Sequence, residues 1–244
     1  MTVSVVSGGT RGIGRALSLR LVALGHRVIA LYRGDEAAAQ DIAKAGEGRI
    51  EPLRCDLARP AEIRTVCDRI TGTYGAPSVL VNNAGVNRDR PFSEMTDEDW
   101  DTVLATNLSG PFHLTRALAP AMVRAGGGSI VNVASTTAIR PRRNGANYCA
   151  SKAGLLQLTK CLALELAPQI RVNALLPGFT DTEEVTERYR LDDPERLTDV
   201  LDTIPGGRLG TAEDMADALE FLVTARSGYV TGQQLVVDGG HFMG

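Results

Sequence analysis

Residues 3–14 read Val-Ser-Val-Val-Ser-Gly-Gly-Thr-Arg-Gly-Ile-Gly, and a helical pattern follows at once. An apolar strand that runs into glycines and then into a helix opens a strand–turn–helix unit. Gly8 suits the tight turn, Gly12 lets the backbone approach a pyrophosphate, and Gly14 lets the helix pack closely on the strand. The helix N-terminus then faces the phosphates with unpaired N–H groups. The spacing is G-x-x-x-G-x-G. It is neither the G-x-G-x-x-G fingerprint nor a P-loop, which would need G-K-[ST]. In its strand–turn–helix setting it predicts a dinucleotide site.

The same alternation continues along the chain. Apolar runs predict strands over 2–6, 27–31, 50–55, 78–82, 129–134, 171–176 and 234–237. Between them, helical patterns cover 12–24, 35–45, 60–74, 148–167 and 211–224, with two stretches around Pro111 between 97 and 122. Strands separated by helices argue for βαβ units and a parallel sheet covered on both faces. The runs Val79-Leu80-Val81 and Ile130-Val131-Asn132-Val133 are near-continuously apolar, as doubly buried strands are. No linker or repeat interrupts the pattern, so 1–244 reads as one domain. One segment stands apart: 180–203 holds nine acids and three arginines, and reads as a solvated helical excursion.

Composition narrows the function. The hydrophobic fraction of 43% is too high for a disordered chain. A net charge of -3 lacks the basic excess that grips nucleic acid. No apolar run approaches the ~20 residues of a membrane helix, and the N-terminus has no signal-peptide pattern. Cys55, Cys67, Cys149 and Cys161 show no C-x-x-C spacing and no nearby histidine cluster. They read as reduced, mostly buried thiols of a cytoplasmic protein rather than metal ligands.

At the second strand's end, Ala30-Leu31-Tyr32-Arg33 carries no acid that would bind a ribose 2'-hydroxyl. Arg33, with Arg11 in the glycine loop, instead supplies guanidinium groups for a 2'-phosphate, which favours NADP over NAD. Farther on, Tyr148 and Lys152 form Y-x-x-x-K. Four residues of helix put both side chains on one face. A free phenol titrates near pH ~10 and is a poor acid–base group at neutral pH, and a neighbouring ammonium lowers that value. Ser135, at the end of the fifth strand, can bind a carbonyl oxygen alongside the tyrosine.

With these motifs in order, the chain resembles the short-chain dehydrogenase/reductases over essentially its whole length, and among them the 3-oxoacyl carrier-protein reductases and acetoacetyl-CoA reductases. The family's TGxxxGxG loop appears as Ser7 to Gly14, its NNAG motif as Asn82-Asn83-Ala84-Gly85, and its PG motif as Pro177-Gly178. The segments 206–210 and 237–240 match its C-terminal pattern. The resemblance implies a single-domain Rossmann fold, an α/β doubly wound seven-stranded parallel sheet with helices on both faces. It implies NADP(H) contacts from Gly8, Thr10, Arg11, Gly12, Ile13 and Gly14, from Arg33, Asp56 and Leu57, and from Asn83, Ala84 and Gly85. Tyr148, Lys152, Pro177, Gly178 and Thr182 complete that set. It implies a catalytic group of Asn107, Ser135, Tyr148 and Lys152, without a metal. Tyr148 would be the general acid. Asn107 would bend its helix and hold a water of the proton relay. It also implies a homotetramer, which the apolar C-terminal residues Phe242 and Met243 support if a neighbouring subunit covers them.

Within that class the substrate stays open: a 3-oxoacyl thioester on acyl carrier protein or CoA, or a polyketide or other natural-product ketone. A non-catalytic NADP-binding sensor is the remaining alternative, disfavoured because all four catalytic positions are kept. Two segments depart from the ordinary fatty-acid reductase pattern, 138–147 and the lid 180–203. Arg140, Arg142 and Arg143 lie in the first. They either recruit an anion such as a carrier phosphate or acidic helix, or pair with the acids of the lid.

Overall fold

The computed structural model describes residues 2–243. Seven parallel strands form one sheet in the order β3-β2-β1-β4-β5-β6-β7. They are β1 (Val3–Ser7), β2 (Arg27–Tyr32), β3 (Ile50–Arg54), β4 (Val79–Asn82), β5 (Gly128–Val133), β6 (Ile170–Pro177) and β7 (Gln234–Val237). Each predicted strand is present, with its ends displaced by at most two residues.

Side chains alternate between two cores, one on each face. Val5, Ile29, Leu31, Leu80 and Ile130 point to one. Val6, Val28, Ala30, Val81 and Val131 point to the other. Helices α3 (Pro60–Tyr74), α5 (Gly110–Arg124) and α6 (Ala146–Leu166) supply the first core. Helices α1 (Gly12–Ala23) and α9 (Ala212–Val223) supply much of the second, with Ile42 of α2 (Glu36–Ala45). This is the doubly wound α/β arrangement expected from the alternation of elements.

Chain order reverses direction in the sheet between β1 and β4, which lie side by side. Crossovers therefore leave the sheet to opposite faces there, and a crevice opens at the carboxyl ends of the strands. Two buried asparagines in the strands help fix this edge. The Asn82 side-chain amide donates to Asn132 Oδ1 at 2.8 Å, and Asn132 donates to Thr159 Oγ1 of α6 at 2.8 Å. Polar groups buried in an apolar sheet have few alternative partners, so the chain of bonds pins α6 to β4 and β5.

The acidic segment 180–203 folds into two short helices, α7 (Glu183–Tyr189) and α8 (Pro194–Leu201). Thr182 caps the first by accepting from Val185 N, and Asp193 caps the second by accepting from Glu195 N. The excursion is not wholly solvated: Leu191 and the following Ile204 are buried and anchor it. Three of the four cysteines are buried as expected, whereas Cys161 is exposed on the outer face of α6.

Candidate active site

A cleft of about 1430 Å³ runs along the carboxyl edge of the sheet. Its floor at one end is the glycine loop. Gly8 and Gly12 have φ of 61° and 52°, a region that β-carbons disfavour. A β-carbon on Gly14 would lie 1.9 Å from the Gly8 carbonyl oxygen, so α1 can approach the loop this closely only with glycine there. At Arg11, which precedes α1, no side chain caps the helix, and no acid occupies its first turn. The first N–H groups are left for a ligand anion, which is the fit a pyrophosphate requires. Thr10 and Ile13 line the same end of the cleft.

Asn83 braces this cradle rather than facing outward from it. Its amide donates to the carbonyls of Ser7 and Gly8 at 3.0 and 3.1 Å, and its backbone N–H donates to Ser7 Oγ. Ala84 and Gly85 then continue the wall. Asp56 and Leu57 border the cleft beyond β3, where Asp56 Oδ1 accepts from Ala58 N. Arg33 and Arg11 also border it, and neither forms an ion pair among the described residues. Arg54 reaches the same corner by donating to the Arg33 carbonyl. Its position at the end of β3 carried no motif in the sequence.

At the other end, Ser135 follows β5 and Tyr148 and Lys152 come from the first turns of α6. Tyr148 is placed by Asn147, a fully buried residue that bonds to three backbone groups. Its amide donates to the carbonyls of Arg88 and Asp99, and its Oδ1 accepts from Tyr148 N at 2.7 Å. Pro177, Gly178 and Thr182 close the side beneath β6, with Thr182 opposite the glycine loop.

Asn107 lies on a π-helical turn, Ala105–Ser109, between α4 (Asp97–Leu104) and α5. The turn holds one extra residue, a π-bulge at the position where a bend is expected. The side chain itself lies behind the cleft, fully buried. Its Oδ1 accepts from Val86 N at 2.8 Å, and its amide donates to the Val86 carbonyl and to Ser151 Oγ. Gly85 separates it from Lys152: a β-carbon there would meet Lys152 Nζ at 3.5 Å and Asn107 Oδ1 at 3.6 Å.

The electrostatics differ from the sequence expectation in one respect. Burial pushes the Tyr148 phenol up to about 12, and the Glu184 carboxylate of α7 adds to the rise. Arg142, the Ser135 hydroxyl and Arg188 pull it down without reversing it. The Lys152 ammonium is not among these influences. It lies 5.7 Å from the Tyr148 ring centroid and donates to the Val133 carbonyl at 2.7 Å. Burial pulls Lys152 itself down to about 8. Desolvation penalises both charged forms, and it is the largest influence on each.

The arginines of 138–147 do not act as a group. Arg142 turns inward to Asp89 at 2.5 and 2.8 Å, and its guanidinium lies 5.3 Å from the Tyr148 ring centroid. Arg140 and Arg143 stay exposed and make no ion pair among the described residues. None of the three pairs with a lid acid. The lid reaches the same carboxylate through its own Arg188, which bonds Asp89 and Glu184. The C-terminal stretch lies beside the cleft. Phe242 is half-buried against its own chain and borders the cleft, Met243 is exposed, and Gly244 lies outside the described residues.

Comparison with known proteins agrees with this geometry. A family model described as enoyl-(acyl carrier protein) reductase matches residues 8–241. The 3-oxoacyl-[acyl-carrier-protein] reductase FabG of Escherichia coli (strain K12) is 37% identical, covering 99% of this chain and 97% of the relative. FabG of Thermotoga maritima is 39% identical over 98% of this chain and 96% of the relative. A (3R)-3-hydroxyacyl-CoA dehydrogenase of Mus musculus is 39% identical over 99% and 96%. Among the described residues, no helix is long and apolar enough to cross a membrane.

Proposed function

Since the chain belongs to the short-chain dehydrogenase/reductase family of oxidoreductases, we propose that it reduces the ketone of a 3-oxoacyl thioester, carried on acyl carrier protein or CoA, with NADPH. One observation supports this reading above others. Ser135 and Tyr148 line one end of a single cleft beside a buried lysine, across from an uncapped helix N-terminus. NADPH, when bound, supplies the hydride. Ser135 and Tyr148 hold the ketone oxygen, and Tyr148 Oη gives it a proton. A phenol pushed up to about 12 is fully protonated at neutral pH, as a proton donor must be. Lys152 holds the nicotinamide ribose hydroxyls, and Asn107 keeps the π-turn in shape behind it. Segment 180–203 serves as the lid over one domain.

The enoyl reading attached to the family model is the competitor. The relatives that act on 3-oxoacyl thioesters favour the ketone; an enoyl thioester also offers the two hydroxyls a carbonyl oxygen, so turnover separates the two reactions. NADPH consumption with acetoacetyl-carrier protein, acetoacetyl-CoA, crotonyl-CoA and unrelated ketones tests the assignment. Turnover of the acetoacetyl thioesters, with crotonyl-CoA inert, is the expected result. Turnover of crotonyl-CoA alone overturns it, and turnover of unrelated ketones alone moves the substrate to another natural-product class.

Arg11 and Arg33, which line the cleft without an ion-pair partner among the described residues, would bind the adenosine 2'-phosphate. Arg33→Asp should weaken NADPH at least tenfold relative to NADH, since a charge-assisted hydrogen bond contributes about 1.5–3 kcal/mol. Equal use of both cofactors by the unaltered protein would sink the NADP assignment. The protein should also assemble as a homotetramer. Leu164 and Tyr229 are large and almost fully exposed in the single chain, as residues of a subunit interface are. A monomeric mass in light scattering at micromolar concentration would exclude it.

A further inference from the structure

The Asp89 carboxylate joins three segments that are far apart in sequence. It lies in the loop after β4, it accepts two bonds from Arg142 of the loop before α6, and it accepts one from Arg188 of α7. Asn87 strengthens the junction from both sides, accepting from Arg142 Nη2 at 2.9 Å and donating to Glu184 at 3.1 Å. Arg142 and Arg188 keep only 19% and 21% of their side-chain surface exposed. At that burial, ion pairs are screened far less than surface pairs. We propose that Arg142, fixed by Asp89, is a positioning residue that holds a second positive charge against the face of Tyr148, and that the shared carboxylate ties this placement to closure of the lid. The inference rests on the ketoreductase reading for its chemistry, although not for its geometry.

The charge is where the reaction needs one. When a ketone is reduced, the hydride forms a new C–H bond, the carbon–oxygen π bond breaks, and the oxygen takes the proton from Tyr148. Tyr148 is left as phenolate, and negative charge spreads over its ring. A guanidinium 5.3 Å from the ring centroid stabilises that charge more than it stabilises the neutral phenol. Lys152 also lies over the ring, 5.7 Å from its centroid, but its ammonium donates to the Val133 carbonyl. The groups facing Tyr148 come from every neighbouring element: Ser135 after β5, Lys152 on its own helix, Glu184 and Arg188 on α7, and Arg142. Behind Arg142 lie Asp89, Tyr189 and Cys149. Of these, Glu184 opposes phenolate formation, whereas Arg142 and Arg188 favour it. Opening the lid would remove Glu184 and Arg188 together and take from Asp89 one of the two arginines that hold it in place against Arg142.

The test compares Arg142→Gln with Arg142→Lys. In alcohol oxidation the phenolate is the active form, so the rate rises with pH. Arg142→Gln should move that rise upward by about one pH unit, a tenfold change at fixed pH, while Arg142→Lys restores it. Fluorine NMR of protein grown with 3-fluorotyrosine, whose phenol is more acidic, follows Tyr148 without any substrate; Tyr148→Phe identifies its signal. Asp89→Asn should raise KM and expose residues 183–204 to limited proteolysis. A rate loss in Arg142→Gln with no movement of either titration overturns the proposal and leaves Arg142 a structural residue. Movement of the NMR titration in a protein that reduces no ketone would instead sink the functional reading and leave the placement of Arg142 standing.

Discussion

Tyr148→Phe should lose at least a thousandfold in ketone reduction while binding NADPH within a few-fold of the unaltered protein. The phenyl ring still fills its place under Arg142 and beside Lys152, so the cleft keeps its shape. What disappears is the one oxygen that carries a transferable proton to the substrate. Positioned general acids contribute about 10²–10⁴-fold, and loss of the bond that orients the ketone adds to this. The pH dependence follows from the phenol's upward displacement to about 12. The protonated form, active in reduction, persists across the neutral range, so the tyrosine itself imposes no fall in the reduction rate there. Alcohol oxidation needs the phenolate and should rise about tenfold per pH unit over the same range. Steady-state rates in both directions, with cofactor binding followed by fluorescence, check all three statements. Retention of more than a tenth of the activity in Tyr148→Phe would remove it as the acid.

Much of this site was legible in the sequence because its signals are local. A glycine loop between strand and helix, and a Tyr–Lys pair four residues apart, declare their geometry through spacing alone. The alternating apolar runs did the same for the sheet, since a buried parallel strand has few other readings. The bend at Asn107 was expected, but the direction of its side chain was not, because it is set by Val86 and Ser151, remote partners. The same holds for Arg142. Its neighbours in sequence, Arg140 and Arg143, suggested a cluster. Its partner Asp89 is 53 residues away, and only the packed loops bring the two together. The downward pull of Lys152 on the Tyr148 phenol was expected from proximity along the helix. Burial, which no spacing reports, turned out to be the larger influence on both groups.

Lys152→Met should give a protein that is nearly inactive and more stable than its parent. Lys152 is 3% exposed and its ammonium is pulled from 10.5 down to about 8. A depression of that size corresponds to roughly 3 kcal/mol by which burial disfavours the charged form. The sign is fixed by the direction. Below pH 8 both folded and unfolded chains carry the proton, and the folded protein bears the full penalty. Between pH 8 and 10.5 the folded chain has lost the proton that the unfolded chain keeps, so the penalty fades as pH rises. Methionine fills the same channel without charge. It leaves the Val133 carbonyl without its donor, which costs about 1 kcal/mol, so a gain of about 2 kcal/mol should remain at pH 7. For a chain of this length that is roughly 4–8 °C in Tm, and the gain should shrink toward pH 10.5. The activity should fall at least a hundredfold, because the ribose hydroxyls lose their donor. In the unaltered protein, NADPH affinity should likewise weaken as pH rises through about 8, where the free lysine loses its charge. Calorimetry of the cofactor-free proteins from pH 7 to 10 reads the stability difference directly. A variant less stable than its parent at pH 7 would mean that the lysine is held as a favourable ion. Its retention would then follow from stability rather than from the chemistry it performs at a cost to the fold.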